Sequence, residues 1–338
     1  MDFGIFDHLD RSGLPLHATY EMRLKLAELY DRHGFYSYHV AEHHATPLGL
    51  ASSPGMFLSA LAQRTQNLRF GPLVYLLPLY HPLRLIEEIC MLDQMSGGRY
   101  QVGVGRGSSP VEASCYALNP DERQGRFEEV LQILLQGLGG SHVDFKGQYY
   151  AFSKVPMELA PVQKPYPPIW LGVGSPDSAE RAARNGHNVV GLGNTTEMRA
   201  ISDRFRATWK SLATPAPMPK LGVARMIVVG ETDEQAMDVA RRAYRVWHDS
   251  FHTLYRSRGV SPRRGERAAT FDETTNGARG IAGSPKSVIT QLRKQLSESG
   301  VNYCVGQFAF GDMSLDEAKH SISLFAEHVM PALRDLDT

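Results

Sequence analysis

Short apolar runs alternate with longer amphipathic stretches along the whole chain. Runs at 2–6, 36–41, 68–76, 100–105, 169–173, 188–192, 221–229 and 302–308 are rich in β-branched and aromatic residues. Their length and flanking polar or glycine residues predict strands. Between them apolar residues recur at helical spacing, as in Leu85, Ile89 and Leu92. That spacing predicts helices at 19–33, 56–64, 83–95, 123–138, 176–184, 197–212, 233–248 and 285–299, with a last one at 315–329. Strands separated by helices build a parallel sheet. Eight such units predict an α/β fold, a (β/α)8 TIM barrel in preference to an open doubly wound sheet. Two segments interrupt the repeat. Residues 139–168 read as an inserted hairpin with a Pro-rich return, and 250–285 as a long, Gly/Arg-rich mobile loop, aperiodic after its first residues. Neither is large enough for a second core, so 1–338 is predicted to be a single domain.

Composition narrows the function classes. Lys+Arg and Asp+Glu number 36 each, so the formal net charge is zero. There is no basic excess for a phosphate backbone and no basic stripe interleaved with aromatics, which argues against nucleic acid as a partner. No apolar stretch of about eighteen residues occurs to span a membrane. The N-terminus "MDFGIFDHLD" has neither the charged start nor the apolar run of a signal peptide. Three scattered cysteines form neither a disulfide framework nor a zinc pattern, and a cytoplasmic setting is expected.

Three stretches carry candidate chemistry. In "AEHH", Glu42, His43 and His44 follow the second strand, at the end of a barrel where catalytic groups collect. Strand alternation sends neighbours to opposite sides, so one of the two histidines is expected to face the mouth. No H-E-x-x-H or converging ligand set accompanies them, so no metal is expected. A neutral imidazole trading a proton near pH 7 and a merely capping pair both fit. In "GVGRG", glycines at a strand end permit close approach of a ligand, and Arg106 is either a phosphate fork or a solvated turn residue. In "GSPDS", Ser175-Pro176 reads as the start of a helix whose free amides suit a phosphate. A similar start, "AGSPKS" at 282–287, competes for that role.

In order and spacing, these stretches resemble the bacterial luciferase-like flavin-dependent monooxygenase family, and in particular the luciferase α subunit. The match comprises "FGIF" at the start, "AEHH", "LP..HP.R..E....LDQMS.GR" from Leu77 to Arg99, "GVGRG" and "GSPDSAERAARNG". It fades after about residue 200. The resemblance implies a barrel binding reduced FMN at its C-terminal mouth, with His43 as the functional histidine, steadied by Glu42. Phe6, Leu73 and Val74 are implied as cofactor-binding residues, the flavin ring resting on a non-proline cis peptide at Leu73–Val74. Arg106, Ser175, Ser178 and the backbone of Gly174 are implied to hold the phosphate, and Gly105 to leave a roomier edge beside the ring.

The implied reaction takes reduced FMN from a separate NAD(P)H:flavin reductase. It combines with O2 through a flavin (hydro)peroxide to oxygenate a small organic substrate such as an aldehyde, alkane or organosulfur compound. The 250–285 loop is expected to act as a lid. A homodimer is expected through the helices after strands two and three, the first of which contains "SPGMFLSALAQRT". Rival expectations are a deazaflavin-dependent hydride-transfer enzyme of the same superfamily and a non-catalytic flavin-binding subunit.

Overall fold

The computed structural model describes residues 1–262 and 266–336. All eight predicted strands form. They are β1 (Asp2–Asp7), β2 (Ser37–Val40), a third split into β3 (Arg69–Pro72) and β4 (Tyr75–Leu76), then β5 (Val102–Gly105). After the hairpin strands β6 (His142–Lys146) and β7 (Ala151–Pro156) come β8 (Ile169–Val173), β9 (Asn188–Gly191), β10 (Leu221–Val229), the short β11 (Gly280–Gly283) and β12 (Tyr303–Gln307). Parallel pairing runs β3-β2-β1-β12-β10-β9-β8-β5-β4, so the two halves of the third strand close the ring. The split falls at a cis Leu73–Val74 peptide, where the family resemblance implied one. The fold is a (β/α)8 barrel.

The connecting helices are α1 (Leu16–Arg32), α2 (Pro54–Arg64), α3 (Pro82–Met95), the short α4 (Pro110–Cys115), α5 (Arg123–Gly139), α6 (Pro176–Arg184) and α7 (Thr195–Ser211). α8 (Asp233–Ser257), α9 (Phe271–Asn276), α10 (Pro285–Ser299) and α11 (Leu315–Leu324) complete the ring. The inserted segment is a hairpin, β6 pairing antiparallel with β7. The 250–285 segment is more regular than its composition suggests. Its start continues α8, because Tyr244, Trp247 and Leu254 keep a buried face at helical spacing. Further on it forms α9, and then β11, which pairs with the overhanging end of β10 from Met226 to Val229. Residues 263–265 of that expected loop, and 337–338 of the expected domain, lie outside the described residues. Among the described residues no helix is long and apolar enough to cross a membrane.

Alternation along each strand divides the core in two. Outward-facing side chains pack under the helices; the lumen holds a separate cluster of Leu73, Trp170, Val190, Ala224, Tyr303 and Val305. Its floor is tight: His39 Nε2 and the Tyr303 hydroxyl lie 3.1 Å apart, and a Cβ on Gly4 would fall 1.8 Å from that hydroxyl. The mouth is not. Gly172 shares the lumen side with Trp170, and a Cβ built there meets nothing within 4 Å.

The C-terminal end of β1 is pinned by a buried charge cluster. Arg23 of α1 lies 3.5 Å from Asp7 and 3.2 Å from Asp10. Asp7 also accepts from the Tyr38 hydroxyl (2.7 Å) and Asp10 from the Gly311 amide (2.6 Å). Removing the cation leaves two buried carboxylates without their counter-charge, which costs about 3–5 kcal/mol. Arg23→Met is therefore expected to lower the unfolding free energy by that amount in a urea titration. A loss under about 1 kcal/mol would show the cluster to be dispensable.

Candidate active site

The candidate residues gather where parallel strands end. His8 follows β1, Glu42 to His44 follow β2, Arg106 follows β5 and Gly174 follows β8. His43 and His44 part company as alternation requires. The His43 ring stacks on His8 toward the mouth, centroids 5.6 Å apart and 26° between planes. His44 turns away, its ring 4.7 Å from that of Tyr116.

The carboxylate paired with His43 is not Glu42. His43 Nδ1 donates to Glu112 at 3.1 and 3.2 Å, and Glu112 also accepts the His44 backbone amide at 2.9 Å. Glu42 instead accepts from His44 Nε2 (2.7 Å), the Tyr80 hydroxyl (2.8 Å) and the Leu76 amide (3.1 Å). Alternation is the reason: neighbours in an extended chain cannot share a side, so Glu42 meets His44, two residues on. Glu42 is therefore not the hydrogen-bond partner of His43, although its charge still favours a proton on that ring. Glu42 instead braces the loop from behind. Glu112 arrives on α4, whose first turn Ser109 caps by accepting the Glu112 amide. The S-x-x-E spacing of Ser109 and Glu112 is visible in the sequence, but by itself it reads as a capping box.

The two stacked imidazoles are driven apart electrostatically. Burial opposes charge on His43, yet Glu112 outweighs it through its charge and hydrogen bonds and lifts the pKa above 6.5. Burial likewise opposes charge on Glu112, but His43 and the His44 amide hold it below 4.5. Burial, the neighbouring His43 and Arg267 push His8 well below 6.5. An imidazole whose charge is favoured and one whose charge is opposed thus stand face to face, the kind of separation that sorts acids from bases in active sites. Among the described residues no three His, Cys, Asp or Glu side chains gather as a metal site.

A cleft opens beside this pair, lined by Phe6, His8, Ala224, Met226, Trp247 and Gln307 among others. Residues 267–279 contribute to its far wall. Phe6 lies edge-on to His8 at 4.8 Å, and Leu73 belongs to the lumen cluster with Val74 packed against it. Gly105 does not leave the extra room expected of it. A Cβ there would fall 2.4 Å from Val74 Cγ2, so the valine already fills that space.

The residues expected at a phosphate lie on neighbouring loops, because β5 and β8 pair directly. Ser175 and Ser178 form a capping box at the start of α6, and the Ser178 hydroxyl accepts the amides of Gly174 (3.3 Å) and Ser175 (3.1 Å). Arg106 is exposed and donates to Gln124 at 2.7 Å. The competing start at 282–287 is engaged internally. Asp233 accepts from the Ser284 amide and from both serine hydroxyls, at 2.7–2.8 Å, which places a carboxylate where an anion would sit.

Known proteins resemble this chain over most of its length. The family model for luciferase-like monooxygenases matches residues 1–303. The uncharacterised protein y4wF of Sinorhizobium fredii is 42% identical over 330 residues, covering 97% of this chain and 96% of that protein. The oxygenase component of a flavin-dependent trigonelline monooxygenase from Acinetobacter baylyi is 25% identical over 353 residues, 99% and 96% of the two chains. The crystal structure of monooxygenase RslO1 from Streptomyces bottropensis superposes with a TM-score of 0.88 at 25% identity, over 98% of this chain and 99% of that one. Likeness that runs nearly from end to end leads to one conclusion: the chain belongs to the luciferase-like monooxygenase family and is an oxidoreductase.

Proposed function

We propose that this chain is the oxygenase component of a two-component flavin monooxygenase. It binds reduced FMN in the barrel mouth, and a separate NAD(P)H:flavin reductase supplies that FMN. The observation that carries the reading is the His43–Glu112 charged pair beside an apolar lumen that widens at Gly172. Phe6, Leu73 and Val74, beside Trp170, are the residues that would hold the flavin's flat ring there. When bound, reduced FMN supplies the electrons that activate O2. The protein's part is to orient it, exclude water and manage a proton. His43 holds that proton, with Nδ1 fixed on Glu112 and Nε2 left to act. The segment that includes residues 267–279 roofs the cleft and keeps water out. Anaerobic titration with reduced FMN, followed by mixing with O2, tests this. Saturable binding and oxygen consumption are expected. Binding of a reduced deazaflavin with indifference to reduced FMN would overturn it.

Arg106, Ser175, Ser178 and the Gly174 amide hold the phosphate. A charge-assisted hydrogen bond contributes about 1.5–3 kcal/mol, so Arg106→Ala weakens FMN about ten- to a hundredfold and leaves riboflavin unaffected. Fluorescence titration of both flavins checks this; equal losses would place the phosphate elsewhere.

The chain pairs with a second copy through α2 and α3. These neighbouring helices expose Met56 (76%), Met91 (54%) and Met95 (48%), large apolar side chains left in solvent. Met91→Glu puts a charge into that interface and is expected to yield monomers by light scattering. A dimer unaffected by the change would move the interface.

A further inference from the structure

One short helix holds both histidines of the loop. Glu112 takes His43, and four residues later the Tyr116 hydroxyl lies 2.8 Å from His44 Nδ1. That spacing is one helical turn and puts both side chains on the same face of α4 and its C-cap. With its Nε2–H given to Glu42 at 2.7 Å, a neutral His44 presents a lone pair at Nδ1, so Tyr116 donates to it. Glu42 in turn accepts from the Tyr80 hydroxyl and the Leu76 amide. A continuous chain of hydrogen bonds thus runs from Tyr116 through His44 and Glu42 to β4. Its outer end, Tyr116, has no part in the chemistry described so far.

The helix needs such a tie. α4 has six residues, and a helix of that length is not stable by its own hydrogen bonds. Burial of Val111 and Ala113 anchors it, but apolar contact has no direction and does not fix rotation about the axis. Hydrogen bonds do, because they weaken steeply when misaligned. The histidine half of the pair is already pressed from behind: a Cβ built on Gly49 would fall 2.7 Å from His43 Cβ. Whether Glu112 stays at 3.1 Å from the His43 ring therefore depends on how α4 is held. Two further directional links run from α4 to the loop, the Glu112 carboxylate on the His44 amide and the Tyr116 hydroxyl on the His44 ring.

We propose that Tyr116 is a positioning residue: by bonding His44, itself tied to Glu42, it locks α4 and keeps the Glu112 carboxylate on His43. The inference rests on the reading of His43 as the proton-holding group of an oxygenase. Burial opposes a proton on the His43 ring, Glu112 and Glu42 favour one, Arg267 opposes it, and the His8 ring stacks against it. Loosening Glu112 weakens the strongest of the favourable influences, so the ring gives up its proton more readily.

Tyr116→Phe tests this. The ring that meets His44 edge-on at 4.7 Å stays, and one hydrogen bond goes. The titration of His43 is followed by NMR of isotope-labelled histidine in the flavin-free protein, its signal assigned by its loss in His43→Gln. In Tyr116→Phe, His43 is expected to titrate at lower pH than in the native protein. The alkaline limb of turnover should move the same way, and turnover should fall about three- to tenfold, the loss of one hydrogen bond. His44→Gln, whose amide reaches Glu42 in place of Nε2 and offers nothing to Tyr116, should reproduce both shifts. It carries the same comparison should Tyr116→Phe not fold, which melting temperatures check. In the Glu112→Gln background there is no carboxylate to hold, so Tyr116→Phe should change turnover less than about twofold. Equal losses in the two backgrounds, or a His43 titration that does not move, overturn the proposal. If the titration moves as expected in protein that fails to bind reduced FMN, the lock stands and the oxygenase reading fails. If Tyr116→Phe binds and oxidises reduced FMN normally and its His43 titration is native, the lock fails and the oxygenase reading stands.

Discussion

Glu112→Gln is expected to lower turnover about a hundredfold or more, the low end of what a positioned proton-transfer group contributes. The amide keeps the shape and can still accept the His44 backbone N–H, which Glu112 accepts at 2.9 Å. It cannot support a positive charge on His43. Without Glu112, burial and Arg267 act on His43 with much less opposition, and both push its pKa down. The pH profile should report this as well as the rate. In the native protein His43 lies above 6.5 and Glu112 below 4.5, so the charged pair exists between those two limits. The stabilisation His43 contributes is complete below pH 6.5 and is lost as pH rises through its raised pKa. The part from Glu112 is present above pH 4.5 and is lost as pH falls through its lowered one. Turnover that depends on the pair should therefore fall on the alkaline side above pH 6.5. In Glu112→Gln that limb moves to lower pH. Steady-state rates across pH 5 to 9 decide the matter. A variant with native turnover and an unmoved alkaline limb would remove Glu112 from the chemistry.

Gly172→Leu should separate binding from folding. A side chain there enters open space at the mouth of the lumen, since a Cβ meets nothing within 4 Å. The melting temperature is expected to change little. The same side chain would overlap any ring lying over Trp170. Overpacking of this kind costs about 1–3 kcal/mol, which is about ten- to a hundredfold in affinity. Reduced FMN should bind more weakly by that factor in an anaerobic titration. Gly4→Leu is the contrasting control: its Cβ would fall 1.8 Å from the Tyr303 hydroxyl, so it should damage the fold itself. If Gly172→Leu binds reduced FMN normally, the ring does not lie where the lumen has room for it.

The difference between Glu42 and Glu112 shows what could be read before folding. Glu42 stands beside His43 in the chain, and proximity in sequence suggested a partnership. An extended backbone places that carboxylate with His44 instead, at 2.7 Å. Glu112 is sixty-nine positions from His43 and sits on a helix of six residues. Such a helix is too short for hydrophobic periodicity to reveal. His8 was visible only as one more histidine after the first strand; its pairing with His43 needs two strand ends to meet. The 250–285 segment misled for a related reason. Its Gly/Arg-rich composition suggests a loop, while α9 and β11 exist because α8 and the overhang of β10 give them surfaces to pack on.

The sequence by itself determined the barrel, because each strand and helix announces itself through a local period set by backbone geometry. It also located the mouth, since parallel strands carry their loop-borne chemistry at one end. It did not determine which side chains act on one another there. Pairing between His43 and Glu112, the room at Gly172 and the valine filling the space beside Gly105 depend on contacts between strands distant in sequence. Those contacts follow from register and ring closure, which no local pattern encodes, and only the tertiary structure decided them.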